Sequence, residues 1–269
     1  MMHSEVAVRI LGPVEVRQYG GWRRPATPQQ RLILSVLALR AGQVVDVEQL
    51  IDTMWENDPP RSAKNGVQVI MTHLRKMMTE TSWGHLTRLG SGYRLNVDQV
   101  SVDVHEFRRL VERGRGISRG SLAIGDFASA LEMWRGDALA DSADTASARQ
   151  IRRELARERL AVLEDHAQAL LRWGRHREAA VKLSSLQASY PLSESLAGLL
   201  MLAYYRCGEC AEALRVFRET REVIVSELGI EPGPELQKIH FGILARDGSE
   251  AMAMAWNMLN LRRSAQCSC

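Results

Sequence analysis

Hydrophobic and polar residues alternate at the start of the chain, a pattern typical of β-strands that bury one face. The alternation covers Val6–Leu11, stops at Gly12-Pro13, and resumes over Val14–Arg17 until the pair Gly20-Gly21. Glycine and proline interrupt strands at turns. The pattern therefore predicts a small antiparallel sheet at the amino terminus.

The spacing of apolar residues becomes helical after this sheet. The run Thr27-Pro28-Gln29-Gln30 supplies a capping hydroxyl, a proline at the first helical position and a glutamine at the third, which predicts a helix over 28–41. Apolar residues then recur every three or four positions from Val47 to Trp55, after a capping Asp46. This stripe predicts a second helix with one buried face, which ends before Pro59-Pro60.

A third helix is predicted over 61–79, and its two faces differ in chemistry. Apolar residues at helical spacing form one face, which we expect to be buried. The opposite face has no acidic side chain, whereas a solvated helix usually mixes both charges. The apolar face consists of Val67, Ile70, Met71, Leu74, Met77 and Met78, and the opposite face of Arg61, Asn65, Gln68, Val69, Thr72 and Lys76, with Lys64, His73 and Arg75 on its flanks.

A tight hairpin is predicted directly after the third helix. Leu86–Leu89 and Tyr93–Leu95 have strand character, and Gly90-Ser91-Gly92 between them is typical of a short turn. A helix-turn-helix core followed by a two-stranded hairpin is the arrangement of a winged helix. We therefore predict an α+β winged helix-turn-helix in which the third helix enters the major groove of DNA.

The residue types on the acid-free face fit the edges of DNA bases. Amides pair with adenine, Arg and Lys pair with guanine or phosphate, and an exposed Val contacts the thymine methyl group. The alternative interpretation is an ordinary solvated basic helix. We predict base contacts from Asn65, Gln68, Val69, Thr72 and His73, of which His73 also suits the DNA backbone. We predict backbone contacts from Arg61, Lys64, Arg75 and Lys76 of the helix and from Arg88, Ser91, Tyr93 and Arg94 of the hairpin.

Helical spacing continues from about residue 100 to about residue 245 and contains an internal repeat. Leu170–Gly174 aligns with Tyr204–Gly208, at an offset of 34 residues that is the tetratricopeptide period. A stretch beginning at Gly125 has the same internal spacing and suggests an earlier copy. We therefore predict an all-α tetratricopeptide-like helical repeat domain after the winged helix. The aromatic residues expected in its core are Trp134, Trp173 and Phe217.

Composition and charge narrow the class of protein. The 269 residues, 45% hydrophobic and 25% charged, suffice for two globular domains. The chain has neither an apolar run as long as a membrane span nor a secretory signal, so we expect a cytoplasmic, nucleoid-associated protein with no membrane partner. The excess positive charge lies in the first 98 residues, where 12 Lys and Arg stand against 9 Asp and Glu. This distribution favours an anionic partner such as nucleic acid.

Segments of both predicted domains resemble one known family. The winged-helix segments are Ile10–Val14, Met54–Pro60, Val67–Lys76 and Gly92–Leu95, and the helical segment is Leu228–Leu236, which reads Leu-Gly-Ile-Glu-Pro-Gly-Pro-Glu-Leu. They are similar to the OmpR-type winged helix and the bacterial transcriptional activation domain of the Streptomyces antibiotic regulatory proteins. The resemblance implies a DNA-binding domain at 1–98 and an activation domain at 99–246. We expect 247–269, which matches neither domain, to be a flexible tail.

The resemblance also implies a function. Members of this family are pathway-specific activators of antibiotic and other secondary-metabolite gene clusters. They bind short direct repeats of double-stranded DNA near promoters, with two protomers side by side, and recruit the RNA polymerase holoenzyme. Direct repeats require a head-to-tail arrangement of protomers rather than a two-fold dimer.

Other chemistry has little support in the sequence. The chain has no Gly-x-x-x-x-Gly-Lys motif, no helical histidine pair and no assignable catalytic set, so we expect no enzyme activity, no cofactor and no metal site. Cys207-Gly208-Glu209-Cys210 has the spacing of redox or zinc sites, but it falls on a repeat turn without a second ligand pair. Two alternatives stay open: a repeat-based interaction adaptor that docks through its winged helix, and a thiol or metal sensor built on Cys207 and Cys210.

Overall fold

The computed structural model describes residues 6–56, 58–79, 84–98, 101–116 and 121–245. The chain divides into two compact units, 1–162 and 163–269, and the division falls within one long helix. Among the described residues, no helix has both the length and the apolar character needed to span a bilayer. The tail predicted at 247–269 lies outside the described residues.

The first unit contains two small sheets and the first helices. Its strands pair in the orders β1-β2-β3 and β4-β6-β5, and all these pairings are antiparallel. The strands are β1 (Val8–Arg9), β2 (Glu15–Gln18), β3 (Gly21–Arg23), β4 (Val44–Asp46), β5 (Gly84–Leu89) and β6 (Gly92–Val97). The helices are α1 (Pro28–Leu39), α2 (Val47–Trp55), α3 (Ala63–Thr79), α4 (Asp103–Gly116), α5 (Ser121–Glu132) and the first part of α6 (Ala146–Arg172).

Helix α1 is the central helix of the winged helix, and most of its residues are buried. It starts as predicted, because the Thr27 and Gln30 side chains each accept a backbone N–H of the other residue. It ends at Leu39, two residues earlier than the predicted Ala41. The His105 Nε2–H of α4 donates to the Ala38 carbonyl at 3.0 Å, which ties α4 to the end of this helix.

The amino-terminal sheet forms as predicted, but its first strand is shorter than the predicted Val6–Leu11. The N–H groups of Ile10 and Leu11 donate to the carboxylate of Asp103 at 2.9 Å instead of to a neighbouring strand. Asp103 is 1% exposed and is the first residue of α4. An aspartate at the start of a helix is typical of a local cap, and the structure adds a long-range role that local spacing does not reveal.

The loop 133–145 between α5 and α6 covers the same edge of the sheet. The Arg135 N–H donates to the Leu11 carbonyl at 2.9 Å, and the Leu139 N–H donates to the Ile10 carbonyl at 3.0 Å. Leu139 is fully buried with a φ of +53°, a conformation that costs a β-carbon-bearing residue about 1 kcal/mol. The surrounding contacts hold it there, so this loop is a fixed part of the first unit.

The second unit consists of paired helices. It contains the rest of α6 together with α7 (His176–Ser189), α8 (Glu194–Arg206), α9 (Cys210–Leu228) and α10 (Pro234–Leu244). The α6–α7 and α8–α9 turns are offset by 34 residues, and their glycines Gly174 and Gly208 have φ values of +74° and +81°. The predicted offset is thus observed at both turns, whereas the tetratricopeptide type stays a prediction.

Two expectations for the helical region were wrong. Gly125 lies inside α5 and not in a turn, so the stretch that begins there is not an earlier copy of the helix–turn–helix pairs. Trp173 is 54% exposed because it follows the last residue of α6 and stands in the turn. The other two repeat aromatics, Trp134 and Phe217, are buried as predicted.

The segment Leu228–Leu236 folds into the turn between α9 and α10. Gly229 ends α9 in the left-handed conformation with a φ of +69°, and Pro234 begins α10. The Gly233 N–H donates to Glu194 Oε2 at 2.7 Å, and a Cβ on Gly233 would lie 3.0 Å from that oxygen. The glycines and the proline of this motif are therefore explained by a turn that binds the start of α8.

The substitution Asp103→Asn tests the attachment of α4 to the sheet. Burial raises the pKa of the Asp103 carboxyl from 3.8 to about 6, against the opposite effect of the Leu11 and Ile10 N–H groups. The folded protein therefore binds this proton more tightly than the unfolded chain does, and the contribution of Asp103 to stability falls as pH rises from about 4 to about 6. It stays constant above that range.

We expect the free energy of unfolding of the wild type to decline relative to that of Asp103→Asn by about 3 kcal/mol at most across this range. Urea denaturation of both proteins, from the acidic end of the range to neutral pH, measures the difference. Stability curves that run parallel throughout would contradict a buried carboxyl at this position.

Candidate nucleic-acid interface

Helix α3 buries the face that its sequence predicts. Val67, Met71 and Leu74 are each at most 1% exposed, and Ile70 and Met78 are also buried. Met77 is half-buried at the edge of this face. The helix begins at Ala63 instead of the predicted Arg61, so Arg61 lies in the turn before it.

The opposite face of α3 is exposed and carries no acidic residue. Val69 is 48% exposed and places an aliphatic side chain in the middle of this polar face. From Asn65 to Lys76 the face is about 16 Å long, which suits insertion into the major groove. The exposed residues that the structure brings together here are Asn65, Gln68, Val69, Thr72, His73 and Lys76, with Lys64 at the start.

The beginning of α3 is fixed by α2. A Cβ on Gly66 would lie 3.1 Å from the Trp55 ring, so this ring packs against the α3 backbone. Lys64 Nζ lies 2.8 Å from Glu48 Oε1 of α2, and both side chains are about 70% exposed. Exposed pairs of this kind contribute at most about 1 kcal/mol, so Lys64 is able to exchange Glu48 for a DNA phosphate.

Arg75 contacts the hairpin that follows α3. Its Nε donates to the Leu86 carbonyl of β5 at 3.2 Å, and its guanidinium lies 5.5 Å from the centre of the Tyr93 ring. Tyr93 itself is 2% exposed and belongs to the core. Arg75 and Tyr93 therefore orient the hairpin against α3, and we leave Tyr93 out of the DNA contacts proposed below.

The hairpin β5–β6 forms the wing as predicted, with Leu89 paired to Gly92 across the turn. Gly90 has a φ of +56°, the region that tight hairpin turns use. The Ser91 hydroxyl donates to Asp46 Oδ1 at 2.7 Å, and the Val47 N–H donates to the Ser91 carbonyl at 3.0 Å. The predicted side-chain cap by Asp46 is therefore wrong, because this carboxylate binds the tip of the wing instead.

Two arginines of the wing differ in their surroundings. Arg88 is exposed near the tip. Arg94 donates from Nε to Asn96 Oδ1 at 2.6 Å, and Asn96 donates from Nδ2 to Thr87 Oγ1 at 2.8 Å. This chain of hydrogen bonds holds Arg94 along the sheet, where it is half-buried.

His73 contacts a buried residue of α1. Its Nδ1 lies 3.2 Å from Nε2 of Gln30, whose side chain also caps α1. The capping motif in the sequence predicts Gln30 only as a cap of α1. The second partner of the same amide could not be found from spacing, because the two residues are 43 positions apart.

The cysteine pair of the second unit lies on the α8–α9 turn as predicted. Cys207 is half-buried at the end of α8, Cys210 is the exposed first residue of α9, and both are free thiols. Within the described ranges, no group of three or more His, Cys, Asp or Glu side chains is arranged to hold a metal ion.

Comparison with known proteins identifies the two regions. Residues 23–95 match the family "Transcriptional regulatory protein, C terminal", and residues 102–244 match "Bacterial transcriptional activator domain". The regulatory protein DnrI of Streptomyces peucetius is 36% identical over 254 residues, which are 89% of this chain and 92% of DnrI. The chain belongs to the Streptomyces antibiotic regulatory protein family.

Two further proteins that are similar to this chain support the assignment. The transcriptional regulator RedD of Streptomyces coelicolor is 33% identical over 90% of this chain and 71% of RedD. A solved structure of Mycobacterium tuberculosis EmbR in complex with a low-affinity phosphopeptide has a TM-score of 0.88 and 25% identity, and covers 97% of this chain and 71% of that one. The protein is a transcriptional regulator and not an enzyme, and the predicted order of winged helix and helical domain is confirmed.

The substitution Gly92→Ala tests how the wing is attached in this regulator. A Cβ there would lie 2.5 Å from the Val45 carbonyl oxygen and 2.7 Å from Val44 Cγ1, so β4 and β6 would have to separate. We expect a loss of about 1–3 kcal/mol in stability, measured by thermal denaturation. Gly20→Ala is the matched control, because nothing lies within 4 Å of its added Cβ. Equal stability of the two variants would refute the pairing of β4 with β6.

Proposed function

We propose that the protein is a pathway-specific activator that binds short direct repeats near the promoters of an antibiotic or other secondary-metabolite gene cluster and recruits RNA polymerase. The acid-free exposed face of α3 is the observation that carries this proposal. Its amides, its hydroxyl and its exposed Val69 match the donors, acceptors and methyl groups of the major groove.

The contacts divide between bases and backbone. Asn65, Gln68, Val69 and Thr72 read bases from the middle of the face, and His73 lies beside them. The Thr72 hydroxyl donates to the Gln68 carbonyl at 2.9 Å, so it offers DNA its lone pairs as an acceptor. The backbone contacts come from Arg61, Lys64 and Lys76 around α3 and from Arg88 and Arg94 of the wing, and Ser91 joins them when its hydroxyl exchanges Asp46 for a phosphate oxygen. Arg75 acts on the backbone indirectly, through the orientation of the wing.

A single reading helix covers only a few base pairs, so one protomer has limited specificity. Two protomers side by side on a direct repeat double the contacts, and they require a head-to-tail arrangement. The match of residues 102–244 to an activator domain supports a role for the helices in contacting the RNA polymerase holoenzyme. In this proposal the protein acts on the chromosome and is nucleoid-associated.

The substitutions Gln68→Ala and Lys76→Ala separate base reading from backbone binding. Gln68→Ala is expected to weaken the free energy of binding to the operator by about 1–3 kcal/mol and to relax the sequence preference at one base pair. Lys76→Ala is expected to weaken binding to all DNA sequences alike. It should also lower the slope of the logarithm of the binding constant against the logarithm of salt concentration by about one. Fluorescence anisotropy on the operator, on single-base variants of it and on random DNA measures both effects. Equal losses on operator and random DNA for both variants would contradict the assigned roles.

The proposal as a whole is tested by titration of the purified protein against DNA from its own gene cluster and a shuffled control, at two salt concentrations. We expect a preference for the promoter DNA of about a thousand-fold or more, with a steep salt dependence. Weak and equal binding to both DNAs would overturn the proposal and favour the interaction adaptor.

Unchanged DNA binding and zinc content in a Cys207→Ser, Cys210→Ser variant would exclude the thiol or metal sensor.

A further inference from the structure

The orientation of the Gln30 amide is fixed by the start of α1. Gln30 is 6% exposed, and its Oε1 accepts the Ala26 N–H at 2.9 Å and the Thr27 N–H at 3.4 Å. Because a backbone N–H is only a donor, the atom that faces these groups must be the amide oxygen. The amide nitrogen of Gln30 must therefore point away from them.

That nitrogen faces the ring of His73 on α3. Gln30 Nε2 lies 3.2 Å from His73 Nδ1. An amide nitrogen only donates, so His73 Nδ1 must be the acceptor and carries no proton. The proton of the neutral ring is then on Nε2. The opposite ring orientation would place a carbon atom against Gln30 Nε2 and leave a buried donor without a partner, which costs about 1–3 kcal/mol.

The consequence lies on the exposed face of α3. His73 is exposed, so its Nε2–H is a hydrogen-bond donor available to a partner of this face. A histidine without such a contact alternates between its two tautomers and presents either a donor or an acceptor. The contact with Gln30 removes that ambiguity.

We propose that Gln30 is a positioning residue for DNA recognition, which holds His73 in the Nε2–H tautomer so that α3 presents a fixed donor to an acceptor atom on DNA. The inference rests on the proposed function, in which α3 enters the major groove. The acceptor is a base atom, such as guanine O6 or N7, or a phosphate oxygen. Gln30 itself does not touch DNA.

The first arm of the test measures the tautomer without DNA. Long-range proton–nitrogen NMR spectra of the full chain, labelled with ¹⁵N-histidine, distinguish a bare ring nitrogen from a protonated one. The signals of His73 are identified by their loss in His73→Ala. We expect a bare Nδ1 and a protonated Nε2 in the wild type, and averaged tautomers in Gln30→Met, which keeps the length of the side chain but lacks the amide. Averaged tautomers in the wild type would overturn the inference.

The second arm is a double-mutant cycle on operator DNA. We expect Gln30→Met to weaken operator binding about 3- to 10-fold, the size of one lost hydrogen bond, and to have little effect when His73→Ala is already present. Thr27→Ala is the matched control, because it removes the capping hydroxyl, bonded to the Gln30 N–H at 3.2 Å, but leaves the Gln30 amide in place. It is expected to keep the wild-type tautomer and affinity.

The outcomes separate the possible failures. Equal losses from Gln30→Met with and without His73 would assign Gln30 a purely structural role and refute the inference. A loss confined to the operator would support a base as the acceptor, and an equal loss on random DNA would support a phosphate. If the wild type does not prefer its operator, the proposed function fails, whereas the NMR arm still decides the tautomer.

Discussion

The buried carboxylate of Asp103 is the contact on which the first unit depends. It begins α4, accepts backbone N–H groups from Ile10 and Leu11, and lies 3.8 Å from the Arg135 guanidinium. A carboxylate is stable in such a place only when several donors surround it, since burial disfavours its charge. The loop 133–145 adds backbone hydrogen bonds to the same edge of the sheet. Through these contacts the winged helix and residues 101–162 form one compact unit.

Within that unit, the basic residues near α3 divide into two groups by their partners. Arg75 and Arg94 donate to groups of the wing: Arg75 holds it against α3, whereas Arg94 bonds within β6. Arg61, Lys76 and Arg88 are exposed and suit contacts with phosphates. The net charge of the region does not distinguish the two groups, although the first makes hydrogen bonds within the protein and the second is exposed. The contact of Arg75 holds the wing in one orientation, which reduces the entropy lost when a partner binds there.

Gln30 illustrates how one side chain links the core to the interface. Its amide oxygen caps α1 and its amide nitrogen contacts His73, so the same residue stabilises a buried helix and orients an exposed ring. The arrangement is possible because α1 and α3 are neighbours in the fold. In the second unit Gly233 has a comparable double role, because it makes room for the Glu194 carboxylate and donates its N–H to it.

The amino-acid sequence by itself determined the winged helix, the paired helices and the exposed face of α3, because these follow from local spacing. A period of 3.6 residues decides which side of α3 is apolar, and turn glycines such as Gly208 decide where helices end. Only the tertiary structure decided the partners of Asp103, Arg75 and Gln30. The partner of each of these side chains is distant along the chain or lies on another element. Local spacing does not show which elements are in contact. The same polar residue therefore has different roles in solvent and against a neighbouring strand, because its neighbours determine which hydrogen bonds it makes.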